Sequence, residues 1–236
     1  MTIRAGVSFL VFAKEPAPGA VKTRLSPPLA PVDAASLYAA FLEDVCATVA
    51  HASGKSDRRV LLAPDGPGPI LTAIAKRYGF ETAAQEGEDL GARMRHALAR
   101  EIAGGTGGAV LVGSDSPTLT AESLRDAATR LCEEPRSLVL GPAADGGYWL
   151  IGCAREVPDV FSGVEWSTRQ VFAQTLSRAR KLKLPVSLLP LFYDVDDAAD
   201  LAFLDAHLSA LPPSDAPRTR AALAALKARL PGIFPS

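Results

Sequence analysis

Ser114-Asp115-Ser116-Pro117 sets one carboxylate between two hydroxyls, directly after the apolar run Ala109–Val112 and Gly113. A run that short and that apolar reads as a strand buried on both faces. Asp115 then stands where a buried strand gives way to a loop, at the carboxyl edge of a sheet. Open α/β sheets bind their ligands outside that edge. A carboxylate there suits Mg²⁺ or Mn²⁺, hard cations that take oxygen ligands and in turn hold phosphates. An aspartate that only organises a turn fits the same stretch.

Three further groups carry chemistry. The loop Lys14 to Leu25, KEPAPGAVKTRL, is stiffened by Pro16 and Pro18, opened by Gly19, and carries Lys14, Lys22 and Arg24. Those cations are donors for anionic oxygens, and an arginine can bind them in bidentate fashion. The loop follows an apolar stretch, which favours phosphate binding over a merely solvated surface. Asp145-Gly146-Gly147 follows another buried run. Paired glycines let backbone approach a ligand closely, and an Asp-Gly pair equally signals a hairpin turn. Tyr193 to Leu201 holds Asp194, Asp196, Asp197 and Asp200. Asp194 or Asp196 can complete a metal site with Asp115, because alternate residues of an extended segment share a face and Val195 would bury. Asp197 and Asp200 fall where helix caps belong. Asp89 reads equally as the cap of the helix through Ile102 or as a ligand contact. His51, His96 and His207 are scattered and suggest no ligand set.

The elements that position these residues follow from apolar periodicity. Strands are expected at Val7–Ala13, Arg59–Ala63, Phe80–Ala84, Ala109–Val112, Ser137–Leu140, Tyr148–Ile151 and Pro185–Leu191. Helices are expected from Asp33, as cap, to His51, over Pro67–Tyr78, from Asp89 to Ile102, from Thr120, as cap, to Cys132, from Ser167, as cap, through Leu176, around Leu201–Leu204, and over Arg218–Leu230, before a proline-rich end. Alternating strands and helices predict an α/β fold with a mostly parallel central sheet covered by helices on both faces.

At 236 residues the chain is long enough to build a large core, and without a composition shift it reads as one domain over 1–236. Charged residues are 22% and the net charge is −1, so no basic excess suits nucleic acid. Cys46, Cys132 and Cys153 form no close pair, which fits reduced thiols in the cytoplasm. The apolar start is broken by Ser8 and followed by Lys14 and Glu15, which reads as a first strand and not a signal peptide. No segment approaches the ~18 apolar residues of a membrane span.

FAKEPAPGAVKTRL, DLGARM, GSDSPTLT, GPAADGGYWLIG, VEWST and YDVDDAADL, in that order, span nearly the whole chain. Together they resemble the bacterial glycosyltransferase-A-like family of the nucleotide-diphospho-sugar transferase superfamily. That family is similar in turn to 2-phospholactate and phosphoenolpyruvate guanylyltransferases, and more distantly to molybdenum-cofactor guanylyltransferase. The resemblance implies a Rossmann-like GT-A domain that binds a nucleoside phosphate and a divalent metal. It implies phosphate contacts at Lys14, Lys22 and Arg24, a metal aspartate at Asp115, an acceptor-side segment at Asp145, Gly146 and Gly147, and a late acidic motif at Asp194 and Asp196. The chain departs from the family pattern where Asp197 and Ala198 stand in place of Thr-Pro, and its first loop lacks the glycine-rich signature of sugar nucleotidyltransferases.

The expected function is glycosyl transfer from a nucleotide-diphospho-sugar to a small-molecule acceptor. Metal and cations would stabilise the departing diphosphate, where charge grows. Nucleotidyl transfer from a nucleoside triphosphate to a small phosphorylated acceptor would use the same residues, and the cationic loop suits its larger charge. A non-catalytic nucleotide-binding protein is the third reading, and the gathering of carboxylates and cations at strand ends speaks against it.

Overall fold

Residues 6–55 and 57–232 are described by a computed structural model; the first five residues and the last four of the proline-rich end lie outside the described residues. Seven strands form one sheet: β1 (Val7–Phe12), β2 (Arg58–Ala63), β3 (Glu81–Ala84), β4 (Gly108–Val112), β5 (Leu138–Pro142), β6 (Tyr148–Cys153) and β7 (Val186–Leu188). Their order is β3-β2-β1-β4-β6-β5-β7. All pairings are parallel except those of β6, which runs antiparallel between β4 and β5. The reason is the linker: β5 and β6 are joined by residues 143–147, far too few for the crossover that a parallel neighbour needs. The Asp-Gly hairpin signal is thus realised.

Every residue of β1 and β4 is buried, as expected for strands covered on both faces. One face is packed by α1 (Pro31–Ala52), α2 (Pro69–Tyr78) and α4 (Ala121–Glu133), through Leu42, Val45, Leu71, Ile74, Leu124 and Leu131. The other is packed by α3 (Leu90–Ala103) and α5 (Val171–Lys181), through Met94, Leu98 and Ala179. A third cluster joins the amino-terminal half of α1 to α6 (Ala198–Ala210) and α7 (Pro217–Arg229). Among the described residues no helix is long and apolar enough to cross a membrane.

Several boundaries differ from expectation, each for a local reason. Pro31 occupies the first turn of α1, so Asp33 sits inside the helix and does not cap it. α2 starts at Pro69 and not Pro67, because its free N–H groups are taken by a distant side chain: the Glu15 carboxylate accepts from Ile70 N (2.9 Å) and Leu71 N (3.2 Å). A Cβ on Gly68 would overlap that carboxylate. α5 begins at Val171, and Ser167 lies before it in a left-handed conformation, φ 63°. β7 is cut to three residues. Asp89, Thr120 and Asp197 do cap α3, α4 and α6, and Asp197 forms a reciprocal capping box with Asp200.

Candidate active site

A cleft of about 600 Å³ runs along the carboxyl ends of β1 to β4 and the start of β6. β1 and β4 are parallel neighbours in register Val11 to Val112, so the loops that leave them emerge side by side. This brings the cationic loop against Asp115 although about ninety residues separate them. The loop is pinned from beneath. Leu25 is fully buried in the α1–α6–α7 cluster, and Val21 packs on Ala35 and Tyr38. Between these anchors Lys22 takes a left-handed conformation, φ 47° and ψ 41°, before the short 3-10 turn Thr23–Leu25.

Lys22 is the buried centre of the cleft. Its side chain is 5% exposed, and its ammonium is ion-paired with both Asp115 and Asp196, the latter at 2.9 Å. Burial alone would lower its pKa; the two carboxylates more than reverse this, and it is raised. Arg24 stands at the rim, 67% exposed, and holds the other oxygen of Asp196 at 2.6 Å. Against the opposing cost of burial, these two cations hold the Asp196 carboxyl below its ordinary value. Lys14 also lines the cleft.

Val195 is fully buried, and its N–H donates to the Asp115 carbonyl at 3.0 Å. This clamp ties the late acidic segment to the central loop and turns Asp194 and Asp196 into the cleft, as alternation predicted. Asp194 accepts a 2.5 Å hydrogen bond from Ser116 Oγ. Burial raises its pKa to about 7, and the charges of Asp115 and Asp145 push the same way. The expected trio of Asp115, Asp194 and Asp196 is nevertheless not assembled as a metal cage. Lys22 bridges Asp115 and Asp196, and no group of three His, Cys, Asp or Glu side chains among the described residues is arranged to hold a metal ion.

The remaining expected residues are placed differently. Asp145 is exposed, accepts from Gly147 N at 2.8 Å, and acts on Asp194 through its charge. Neither Gly146 nor Gly147 lines the cleft. Gly146 is small for another reason: at φ 92°, a Cβ there would overlap the Arg169 carbonyl oxygen. Asp89 is exposed and caps α3, accepting from Ala92 N at 2.7 Å. Residues given no functional role in the sequence reading also border the cleft, among them Gln85, Arg93 and Ser167. Tyr38 is the most connected of these. Its hydroxyl accepts from Lys14 N (3.0 Å) and is hydrogen-bonded to Ser114 Oγ (2.8 Å), so α1 braces both loops. Its only trace in the sequence is a tyrosine on an apolar helix face.

The Asp194 carboxyl gives a pH prediction. Its pKa is near 7 in the folded chain and ordinary when unfolded. Between about pH 4 and 7 the folded state therefore keeps a proton that the unfolded state has lost, and stability falls as pH rises through that window. Asp194→Asn removes the penalty. We expect its thermal midpoint to exceed that of the parent by about 5 °C at pH 8, with the gain vanishing towards pH 4. Equal gains at both pH values would mean that Asp194 does not carry a raised pKa.

No curated protein matches the sequence. Among solved structures, a Desulfovibrio desulfuricans G20 protein with a provisional assignment as a nucleotide-diphospho-sugar transferase is 31% identical. It aligns with a TM-score of 0.85 over 98% of this chain and 100% of its own. A cytidylyltransferase from Leptospira borgpetersenii serovar Hardjo-bovis (strain JB197) has a TM-score of 0.55 at 15% identity, covering 98% of this chain and 97% of that one. A 4-diphosphocytidyl-2C-methyl-D-erythritol synthase has a TM-score of 0.56 at 11% identity, covering 88% and 100%. These last two share the fold alone. A family model described as "Uncharacterized protein conserved in bacteria (DUF2064)" matches residues 44–168, a span that contains β4, Asp115 and the Asp145 hairpin. With more than half the sequence inside that model, and the fold and segment order agreeing, the chain belongs to the DUF2064 family, on the fold of the nucleotide-diphospho-sugar transferases.

Proposed function

We propose that this protein is a metal-dependent transferase that passes a glycosyl group from a nucleotide-diphospho-sugar to a small-molecule acceptor. The observation that carries the reading is one cleft, at the carboxyl ends of β1 and β4, in which Lys22 and Arg24 meet Asp115 and Asp194. The 31% relative with its nucleotide-diphospho-sugar assignment supports the same reading.

The donor set fits a divalent cation. Asp115 and Asp194 are hard oxygen donors in a partly buried site, and burial, with the like charge of Asp115 behind it, raises the Asp194 pKa to about 7. Two carboxylates suit Mg²⁺ or Mn²⁺, which keep other positions for water and phosphate oxygens. Such an ion would neutralise charge on the departing diphosphate. The chain's own groups do the rest. Lys22 and Arg24 bind phosphate oxygens and stabilise the leaving group. Asp145, exposed and close enough for its charge to act on Asp194, with one carboxylate oxygen on Gly147 N, takes the proton of the attacking acceptor hydroxyl.

A second reading, nucleotidyl transfer with release of pyrophosphate, is favoured by the placing of three cations, Lys14, Lys22 and Arg24, on one loop at the cleft. Thermal-shift titration separates the two. A ligand at ~100 Kd adds roughly 2.7 kcal/mol of stability. UDP- or GDP-sugars with Mn²⁺ should raise the midpoint more than nucleoside triphosphates do. ³¹P NMR of the turnover mixture should then show nucleoside diphosphate and no pyrophosphate. Pyrophosphate would establish the second reading, and no turnover with any donor would leave a binding protein.

Arg24 provides a sharper check on which part of the ligand the loop reads. Arg24→Ala should weaken a nucleoside diphosphate about tenfold, in line with the loss of one charge-assisted hydrogen bond. Affinity for the bare nucleoside should stay unchanged. Calorimetric titration of both ligands decides it: equal weakening would mean that the loop shapes the pocket and does not read phosphate.

A further inference from the structure

Lys22 combines three features that phosphate binding alone does not require. Its side chain is almost wholly buried, it bridges two carboxylates, and its backbone is held in a conformation that non-glycine residues seldom adopt. Asp196 keeps a second cation, Arg24, on its other oxygen. For Asp115, Lys22 is the one ion-pair partner among the described residues. If Lys22 left, Asp196 would stay compensated and Asp115 would not. Because Val21 and Leu25 pin the backbone on either side of Lys22, the handover asks only for its long side chain to swing from the carboxylates towards a bound phosphate.

We propose that Lys22 is the resident counter-cation of Asp115. It closes the metal position in the ligand-free protein, and a divalent cation enters only as Lys22 hands its charge over to the donor's diphosphate. The inference rests on the reading of Asp115 as a metal ligand given above, and adds that metal and nucleotide bind as a coupled pair. Asp115 and Asp196 each have a cationic partner in both states. Without ligand, one ammonium and one guanidinium face Asp115 and Asp196. With ligand, the divalent ion takes Asp115, Arg24 keeps Asp196, and the ammonium sits on phosphate oxygens. Because coupling is reciprocal, nucleoside diphosphate must tighten metal binding by the same factor that metal tightens nucleotide.

The probe is Mn²⁺ alone, with free ion counted by electron paramagnetic resonance, in the presence and absence of GDP or UDP. The parent protein should bind Mn²⁺ weakly by itself and more tightly with the diphosphate. Lys22→Met should bind Mn²⁺ alone about tenfold more tightly than the parent, the factor for a site open in one molecule in ten before the change. The diphosphate should then add much less. Removing a positive charge also changes the local field, so the charge-matched pair Lys22→Met with Asp196→Asn should show the same gain; it also serves if the single variant does not fold. Mn²⁺ binding no tighter than the parent's in these variants would overturn the inference. Asp115→Asn separates this failure from the other. If it abolishes Mn²⁺ binding while Lys22→Met brings no gain, the counter-cation idea alone falls. If it leaves Mn²⁺ binding unchanged in both backgrounds, the metal reading of Asp115 falls and takes the inference with it.

Discussion

Asp115→Asn is expected to weaken metal-dependent binding of a nucleoside diphosphate at least a hundredfold, with the fold intact. The size follows from what is lost. Asp115 is the carboxylate at the end of β4 that faces Lys22 and acts on Asp194. Truncating one member of a close charge pair at an interface costs about 2–5 kcal/mol, and ~2.7 kcal/mol is already two decades. The fold should survive for a specific reason. The hydrogen bond that ties the late acidic segment to this loop uses the Asp115 backbone carbonyl, not its side chain, and Lys22 keeps its pair with Asp196. Calorimetry with GDP or UDP and Mn²⁺, beside a thermal melt, makes the measurement. A folded variant that binds the metal–nucleotide pair as the parent does would remove Asp115 from the metal site.

Much of this site is legible in the chain because its parts are local. β4 is a short apolar run that can only bury, so the residues after Gly113 must lie at the sheet edge. Val195 between two aspartates predicts its own burial and the common direction of Asp194 and Asp196. Asp197 and Asp200 have the spacing of a capping box and form one. What the sequence does not reveal is which opposite charges find each other. Lys22 and Asp196 are 174 residues apart, and an acidic segment reads alike as a set of metal ligands or as partners for lysine and arginine. Only the register of β1 on β4 and the Val195 clamp decide it. Glu15 is hidden in the same way, since a carboxylate in a loop carries no sign that it will cap α2, more than fifty residues on. Tyr38 and Ser116 likewise gain their roles through tertiary contacts.

Gly146 illustrates the other kind of misreading, in which a residue is needed for a different reason from the one its type suggests. A glycine pair after an aspartate reads as an approach for ligand, yet the atom that comes close to Gly146 is the Arg169 carbonyl oxygen of the protein itself. Gly146 in turn accepts the Phe172 N–H at 2.9 Å, at the start of α5. The β5–β6 hairpin is thus fastened through this one residue to the segment that carries Ser167 to the cleft wall. Gly146→Ala meets two costs at once. Alanine at φ 92° is strained by about 1–3 kcal/mol. Its methyl group overlaps backbone, which cannot rotate away, so the segment must shift, and overpacking of that kind costs typically 1–3 kcal/mol more. We expect about 3 kcal/mol in all, a fall in thermal midpoint of roughly 6–12 °C for a chain of this size. Gly147→Ala is the matched control. Its backbone is not in the left-handed region, and the nearest atoms to its Cβ would be those of the Asp145 carboxylate, from 3.2 Å. That side chain can turn, so the midpoint should move by no more than a degree or two. A Gly146→Ala protein that melts with the parent would show that the hairpin and the Arg169 segment are not packed as described. Equal losses in the two variants would point to glycine's flexibility, and not this one backbone contact, as what the hairpin needs.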